Sequence, residues 1–354
     1  MGDAADARTE TAPRYGAATV SRRAALLGGL AAALLVGASP ALAQNVRFFR
    51  IGAGPIGGTL FPAAGWISGA ISNPPGSRPC ERNGSCGVPG LIALAQSTEG
   101  GVANIEALRD GAIDAALAYS GMAHDALTGR AAFQKTGPFA DLCAVATLAP
   151  EALHVLVRYG GPVAKIADLK GRKVAVGAEG QGPAVIAEEV LRAHGIQPKQ
   201  FQAIALNPDA AAGALAAGEI DAMIFLAHAP AAVAVQMIAD HGGVLLPLSP
   251  DRAHAAATSD PYLFAAEIPR SAYGRAPVPT VATVPVLLVK AGLDATLVTA
   301  MSRALWLAMK VDTGSNPLDV NTFAAGQIAR RGVPLHPAAQ AFRDELIRNP
   351  GAPR

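Results

Sequence analysis

The sequence contains few charged and few aromatic residues. Charged residues make up 16% of the 354 residues and aromatic residues 5%, and the formal net charge is +2. A nucleic-acid surface needs clustered Lys and Arg and usually stacking aromatics. The sequence has no such cluster, so we expect no nucleic-acid partner. The hydrophobic share of 51% is typical of a globular protein.

Cysteine is also scarce, with three residues in the chain. Cys80 and Cys86 lie in a Pro- and Gly-rich stretch, where a disulfide would close a small loop in an oxidising compartment. Two cysteines without nearby histidines make a poor zinc site, so we expect no metal. Cys143 lies in the apolar run 142–146 and is expected to be a buried free thiol.

Catalytic spacings are absent as well. The seven histidines fall in no recognisable pattern, and neither a G-x-S-x-G nor an H-E-x-x-H motif occurs. We therefore expect no catalytic residues and no enzyme activity. His228 follows a predicted strand and could reach a ligand cleft, whereas His124, Asp125 and His154 are expected to be structural.

The N-terminus resembles an export signal. Arg22 and Arg23 precede an apolar run at 24–38, and small residues follow at 41–43. The run is shorter than the roughly 20 residues that span a bilayer. The paired arginines resemble a twin-arginine signal. We predict a signal peptide over 1–43 that is cleaved near Ala43, and a soluble periplasmic protein. The alternative is an uncleaved membrane anchor.

Strand-like and helix-like patterns alternate along the rest of the chain, which predicts an α/β fold with parallel strands. Pro285 interrupts the apolar run 281–290 and indicates an edge or a hinge crossing there. The predicted strands cover 47–51, 114–118, 154–158, 173–176, 222–226 and 244–247, and the predicted helices cover 63–71, 102–110, 185–194, 210–217, 231–240 and 297–309.

One pattern occurs twice. Residues 108–115 read LRDGAIDA and residues 215–222 read LAAGEIDA. Each is the end of a helix, a glycine stop and the start of a strand, which indicates two α/β halves of similar build. Two facing open sheets leave a cleft at the carboxyl ends of their strands, where small ligands bind. The alternative is chance, because such turns are common in α/β proteins.

Residues 52–57 read GAGPIG, a formal G-x-G-x-x-G after a predicted strand. This motif supports an alternative function, an exported enzyme that uses a nucleotide cofactor. The fingerprint also needs an acidic residue about 20 positions later, at the end of a second strand. The Pro- and Gly-rich stretch lies there instead, so we expect no cofactor.

Three Gly-rich loops precede predicted helices, at 57–62, 97–104 and 177–183. Backbone N–H groups at a helix N-terminus bind carboxylates as readily as phosphates. At least one of these loops lies in each proposed half. We therefore expect a small anion to be held between the two halves.

Several segments occur in an order that resembles the TAXI family of TRAP-transporter solute receptors, over about residues 46–345. They are 57–62, the loop ending at Asn104, 150–154, 167–177, 268–269 with Tyr273, 278–281 and 334–337. The resemblance implies a two-lobed type II periplasmic-binding-protein fold, with two open mixed sheets flanked by helices, a hinge and an interlobe cleft. We expect lobe 1 over 44–158 plus 280–354, and lobe 2 over 159–279.

The same resemblance implies a function. The lobes would close on a small carboxylate, such as a dicarboxylate or an amino acid, and pass it to the TRAP membrane permease. We expect a monomer, and a sensory ligand-binding module is a further alternative. The expected ligand-binding residues are Gly58, Thr59, Leu60, Phe61, Gly100, Gly101, Asn104, Tyr119, Ser120, Gln181, Gly182, Pro183 and His228.

This sequence departs from the family pattern at several pocket positions. Leu60 stands where Tyr is usual, Gly101 replaces Ser, and Gly121 replaces a frequent Asp. Residues 181–183 replace a usual Ser-Gly-Thr. These changes remove polar side chains, so we expect a less polar acid than glutamate.

Overall fold

The computed structural model describes residues 46–77, 86–178, 181–311, 317–318 and 332–349. The predicted signal peptide, 1–43, and Cys80 lie outside these residues. Cys86 is disulfide-bonded, and its predicted pairing with Cys80 stays a prediction. In the described part of the chain, no helix is both long enough and apolar enough to cross a membrane.

Strands and helices alternate through most of the described chain. The strands are β1 Arg47–Gly54, β2 Ser72–Asn73, β3 Val88–Pro89, β4 Leu91–Ser97, β5 Ala115–Tyr119, β6 Leu142–Thr147, β7 Glu151–Arg158, β8 Lys173–Ala175, β9 Gln202–Ile204, β10 Ala222–Ala227, β11 Gly243–Leu245, β12 Phe264–Ile268, β13 Val278–Thr283 and β14 Pro285–Lys290. The helices are α1 Leu60–Ile71, α2 Gly101–Asp110, α3 Ser120–Thr128, α4 Gly182–Ala193, α5 Pro208–Ala217, α6 Ala232–Asp240, α7 Pro250–Ser259, α8 Arg270–Tyr273, α9 Ala295–Val311 and α10 Pro337–Arg348.

Two sheets share one strand order. The first sheet runs β4-β1-β5-β14-β6, and the second contains β9-β8-β10-β7-β13 with β12 beyond β13. In each sheet the first three strands are parallel and the fourth is antiparallel to both of its neighbours. Strands β5 and β10, each third in this order, are buried along their whole length, as expected for strands covered on both faces. The predicted two-lobed α/β fold with mixed sheets is confirmed.

The repeated sequence pattern marks equivalent places in the two lobes. Helices α2 and α5 end at left-handed glycines, Gly111 and Gly218, and β5 and β10 follow. The Asp114 carboxylate accepts the N–H of Arg50 in β1 at 2.8 Å, and the Asp221 carboxylate accepts the N–H of Lys173 in β8 at 3.0 Å. The pattern therefore encodes the same helix-to-strand turn in both lobes, as predicted.

The chain crosses between the sheets at 148–150, between β6 and β7, and again at Val284, between β13 and β14. Pro285 thus lies at a crossing, as its position in the apolar run indicated. The expected lobe boundaries at 158 and 280 are wrong by several residues. Strand β7 hydrogen-bonds to β10 and β13 of the second sheet, so lobe 2 already begins at Glu151 and extends to Thr283.

Most predicted elements are present with shifted ends. Helix α1 begins at Leu60 and not at 63, because Pro62 fits the first helical turn, where a backbone N–H has no intrahelical partner. The elements that were not predicted are strands β2, β3, β4, β6, β9 and β12 and helices α3, α7, α8 and α10. Cys143 lies in β6 as a buried free cysteine, which confirms that prediction.

His154 of β7 belongs to a chain of hydrogen bonds that reaches the backbone just after β10 in lobe 2. The ring is fully buried, and its Nδ1 lies 2.9 Å from the carbonyl oxygen of Ala152, to which it donates. Nε2 therefore accepts from the Tyr273 hydroxyl at 2.8 Å, and that hydroxyl in turn accepts the N–H of Ala231. Burial lowers the pKa of His154 to about 4. The expectation that His154 is structural agrees with this chain of hydrogen bonds.

We predict that His154→Phe lowers the free energy of unfolding by about 1–3 kcal/mol at neutral pH, because buried hydrogen-bonding groups lose their partners. The difference from the wild type should narrow as pH falls from 6.5 towards 4. In that window the unfolded wild-type chain binds a proton at residue 154 and the folded chain does not, so acid removes stability from the wild type that the variant, which has no histidine there, does not lose. Urea unfolding at about pH 7.5 and about pH 4.5 measures this. The exposed His254→Gln is the control, and a difference that widens in acid would contradict the prediction.

Candidate functional site

A cleft lies between the lobes at the carboxyl ends of the central strands. Its walls include the ends of β1, β5 and β8 and residues 223–226 of β10. Ligands bind at this edge in open α/β sheets. The lining residues are 53–55, 58–61, 100–101, 119, 175–177, 181–183, 206–208, 211 and 223–226.

Five helices begin at this cleft, α1, α2 and α3 from lobe 1 and α4 and α5 from lobe 2. The residues that precede them all line it, and they are Thr59, Gly100, Tyr119, Gln181 and Asn207. Asn207 caps its own helix by accepting the N–H of Ala210 at 2.9 Å, and the first N–H of α3, that of Ser120, donates to the Val284 carbonyl. Helices α1, α2 and α4 have no side-chain cap. The N–H groups in their first turns, which Pro62 and Pro183 lack, therefore remain available to a ligand at the positive ends of the helix dipoles.

The rest of the lining is mostly apolar. Leu60, Phe61, Leu206, Met223 and Phe225 supply its bulk, and none of the described lining residues is charged. A bound anion would thus be neutralised by backbone N–H groups and helix dipoles instead of by Lys or Arg.

At the polar end of the cleft, two hydroxyl groups are hydrogen-bonded to one buried carboxyl group. Glu151, the first residue of β7, accepts the Tyr119 hydroxyl at 2.7 Å and the Thr59 hydroxyl at 3.2 Å, both on the same oxygen, Oε2. Burial raises the pKa of Glu151 to about 7, against the opposing effect of the two hydroxyl bonds. Burial also raises the pKa of Tyr119, and the neighbouring Glu151 adds to that rise.

The lobes touch across the cleft. Gln181 Nε2 of lobe 2 donates to the Glu99 carbonyl of lobe 1 at 2.7 Å, and Asn207 Nδ2 donates to the Ile56 carbonyl at 3.3 Å. Gly182 packs directly on the Tyr119 ring, where an added Cβ would lie 2.3 Å from the nearest ring atom. The structure is therefore a closed arrangement, and closure requires glycine at 182.

Ten of the thirteen residues predicted to bind ligand line this cleft: Gly58, Thr59, Leu60, Phe61, Gly100, Gly101, Tyr119, Gln181, Gly182 and Pro183. Ser120 is fully buried and is not part of this lining. His228 is exposed and lines a neighbouring pocket together with Glu151 and Asp209. Their roles as ligand contacts stay predictions.

Asn104 lies outside the cleft lining, and its side chain is hydrogen-bonded to the loop before α2 and to strand β5. Its Oδ1 accepts the Thr98 hydroxyl, and its Nδ2 donates to the Leu117 carbonyl at 2.8 Å. A Cβ on Gly52 would lie 2.7 Å from Asn104 Oδ1. Close packing between β1 and α2 therefore explains Gly52, the first glycine of the G-x-G-x-x-G pattern.

Glu151 was not predicted as a site residue. It belongs to the segment 150–154, which supported the family resemblance but was not assigned a role in ligand binding. A carboxylate that opens a buried strand directly after a chain crossing is the signal that could have singled it out.

Residues 51–346 match the profile described as the NMT1-like family. The chain belongs to the NMT1-like family. The match spans both lobes and every described residue of the cleft.

Solved structures of similar fold include ligand-binding proteins. The alkanesulfonate-binding protein SsuA from Xanthomonas axonopodis pv. citri, bound to MOPS, is 16% identical, with 85% of this chain and 99% of that chain covered and a TM-score of 0.42. A putative periplasmic sulfonate-binding SsuA from Methylobacillus flagellatus KT is 14% identical, covering 88% and 98%, with a TM-score of 0.45. An ancestral arginine-binding protein bound to arginine is 16% identical, covering 76% and 94%, with a TM-score of 0.42. Likeness at this level says nothing about the ligand of this NMT1-like chain.

We predict that Gly182→Ala weakens ligand binding about 5- to 150-fold, because the methyl group overlaps the Tyr119 ring in the closed state and overpacking costs about 1–3 kcal/mol. The free energy of unfolding without ligand should not fall, since the lobes can part slightly. Calorimetric titration and urea unfolding measure the two quantities. Gly213→Ala in α5, where nothing lies within 4 Å of the added Cβ, is the matched control and should bind as the wild type does. Equal affinities for Gly182→Ala and the wild type would contradict a closed ligand-bound state of this geometry.

Proposed function

We propose that this chain is a periplasmic solute-binding receptor that captures a small organic anion by closing its two lobes and delivers it to a membrane permease. The observation that carries the proposal is the meeting of helix N-termini from both lobes at one cleft that has no charged side chain among its described lining residues. Such N-termini favour a negative ligand.

The lining favours an acid with an apolar body. Thr59, Tyr119, Gln181 and Asn207 are its polar side chains with hydrogen-bonding groups, and part of that capacity is already used within the protein. Leu60 and Gly101 stand where larger or more polar groups would enrich the site. The ligand is therefore a carboxylic or related acid that is less polar than glutamate.

Closure provides the mechanism of capture. The two crossings at 148–150 and Val284 let one lobe rotate against the other, and Gln181 and Asn207 then reach carbonyls of lobe 1. A ligand that contacts helix N-termini of both lobes binds the closed state more tightly, so it shifts the population towards closure.

The permease is of the TRAP type. The ordered motifs from 57–62 to 334–337 support this assignment, and the signal-like N-terminus supports export to the periplasm. The receptor acts as a monomer and presents its closed, loaded form to the permease.

A thermal-shift screen of residues 44–354 tests the proposal. The panel contains amino acids, dicarboxylates, 2-oxo acids, aromatic acids and nicotinamide nucleotides. We expect one class of organic acid to raise the melting temperature, since a ligand at 100 times its dissociation constant stabilises by about 2.7 kcal/mol.

The carboxamide of the best acid is the matched control, because it keeps the shape and removes the charge that the helix N-termini attract. It should give little or no shift. Equal shifts from acid and amide would contradict anion capture. A shift with nicotinamide nucleotides alone would favour a cofactor-binding enzyme instead.

A further inference from the structure

Two hydroxyls at the polar end of the cleft share one buried carboxyl group. Tyr119 from β5 and Thr59 before α1 both line the cleft, and both contact Glu151 Oε2, which lies outside the cleft lining. The hydroxyls belong to lobe 1, whereas Glu151 opens the first strand of lobe 2. The contact therefore joins the ligand site to the crossing at 148–150.

The hydrogen count of these groups restricts what the site can bind. A hydroxyl has one hydrogen to donate and two lone pairs to accept with. When Glu151 is ionised it only accepts, so the two hydroxyl hydrogens point at Oε2 or, for one of them, at the other hydroxyl 3.4 Å away. The hydroxyls then offer only lone pairs to the cleft, which repel an anion. When Oε2 carries a proton, it donates to one hydroxyl and frees hydroxyl hydrogen to face the cleft.

We propose that Glu151 determines the ligand charge accepted by the cleft, and that capture of an organic anion is coupled to uptake of one proton by Glu151. This rests on the proposed function, since it takes the ligand to be an anion. The proton comes from solvent and stays on the carboxyl group, so the bound state contains the anion and a neutral Glu151.

The surroundings of Glu151 give no cation to hold it ionised. From lobe 1 it faces Tyr119 and Thr59, and Asp209 of α5 and His228 after β10 line the pocket beside it. The residue opposite it on β13, Thr283, gives its hydroxyl to the Tyr262 carbonyl. No Lys or Arg occurs among the described residues that line either pocket. Burial already raises the pKa of Glu151 to about 7, and a nearby anion raises it further.

The uptake of a proton by Glu151 determines how the affinity for the anion changes with pH. Below about pH 7 the unliganded protein already carries the proton on Glu151, so the affinity for the anion does not change with pH in that range. Above that pH the proton must be taken up on binding. Affinity for the anion therefore falls as pH rises, by up to about tenfold per pH unit for one linked proton.

Titration calorimetry of the wild type and of Glu151→Gln tests this, with succinate, 2-oxoglutarate and benzoate as probes, between about pH 6 and about pH 9. The Gln amide donates a hydrogen bond at every pH, as the protonated acid does. We expect the wild type to lose affinity above about pH 7 and Glu151→Gln to keep it. Glu267→Gln, the same charge change at an exposed position on β12, should keep the wild-type pH profile.

A second measurement needs no variant. Titrations of the wild type near pH 8 in buffers of different ionisation enthalpy count the protons taken up, and we expect about one per bound anion. An acid that binds without proton uptake and with the same pH profile in the wild type and Glu151→Gln would overturn this inference and leave the proposed function standing. If none of the three acids binds, the acid that gives the largest shift in the thermal-shift panel is titrated in the same way. If no acid of that panel binds, the proposed function fails, and this inference fails with it.

Discussion

The chain passes between its two sheets at 148–150 and at Val284, and the arrangement of the described cleft follows from these two crossings. They place the carboxyl ends of β1 and β5 opposite those of β8 and β10. Each lobe then contributes helix N-termini to the same space. A negative ligand in that space is attracted by the helix N-termini of both lobes at once. Binding of the ligand therefore favours the closed arrangement of the two lobes.

The fold could largely be predicted from sequence because its signals are local. The alternation of elements, and the turns at Gly111 and Gly218, depend on residues within a few positions of each other. The duplicated pattern even indicated equivalent places in two sheets. The lobe boundaries were less accurate, because β7 follows β6 after a short crossing and nothing local tells which sheet a buried apolar strand joins.

The candidate site was predictable to the extent that backbone forms it. The loops before α1, α2 and α4 line the cleft because Gly-rich turns before helices recur at this edge of a sheet. Asn104 lies outside the described lining and its amide is used by Thr98 and Leu117, so its role as a ligand contact stays a prediction. Glu151 was not predicted as a site residue. Its importance arises from contacts with Thr59 and Tyr119, which are far away in the chain, and no spacing reveals them.

The two hydrogen bonds that Gln181 and Asn207 make across the cleft are asymmetric in chemical type. Both acceptors in lobe 1, at Ile56 and Glu99, are main-chain oxygens, whereas both donors in lobe 2, on Gln181 and Asn207, are side-chain amides. Every residue type keeps its carbonyl oxygen, so positions 56 and 99 are free to diverge while they still receive the closing lobe. Only the lobe 2 side of these two hydrogen bonds can be lost through a change of side chain, at positions 181 and 207.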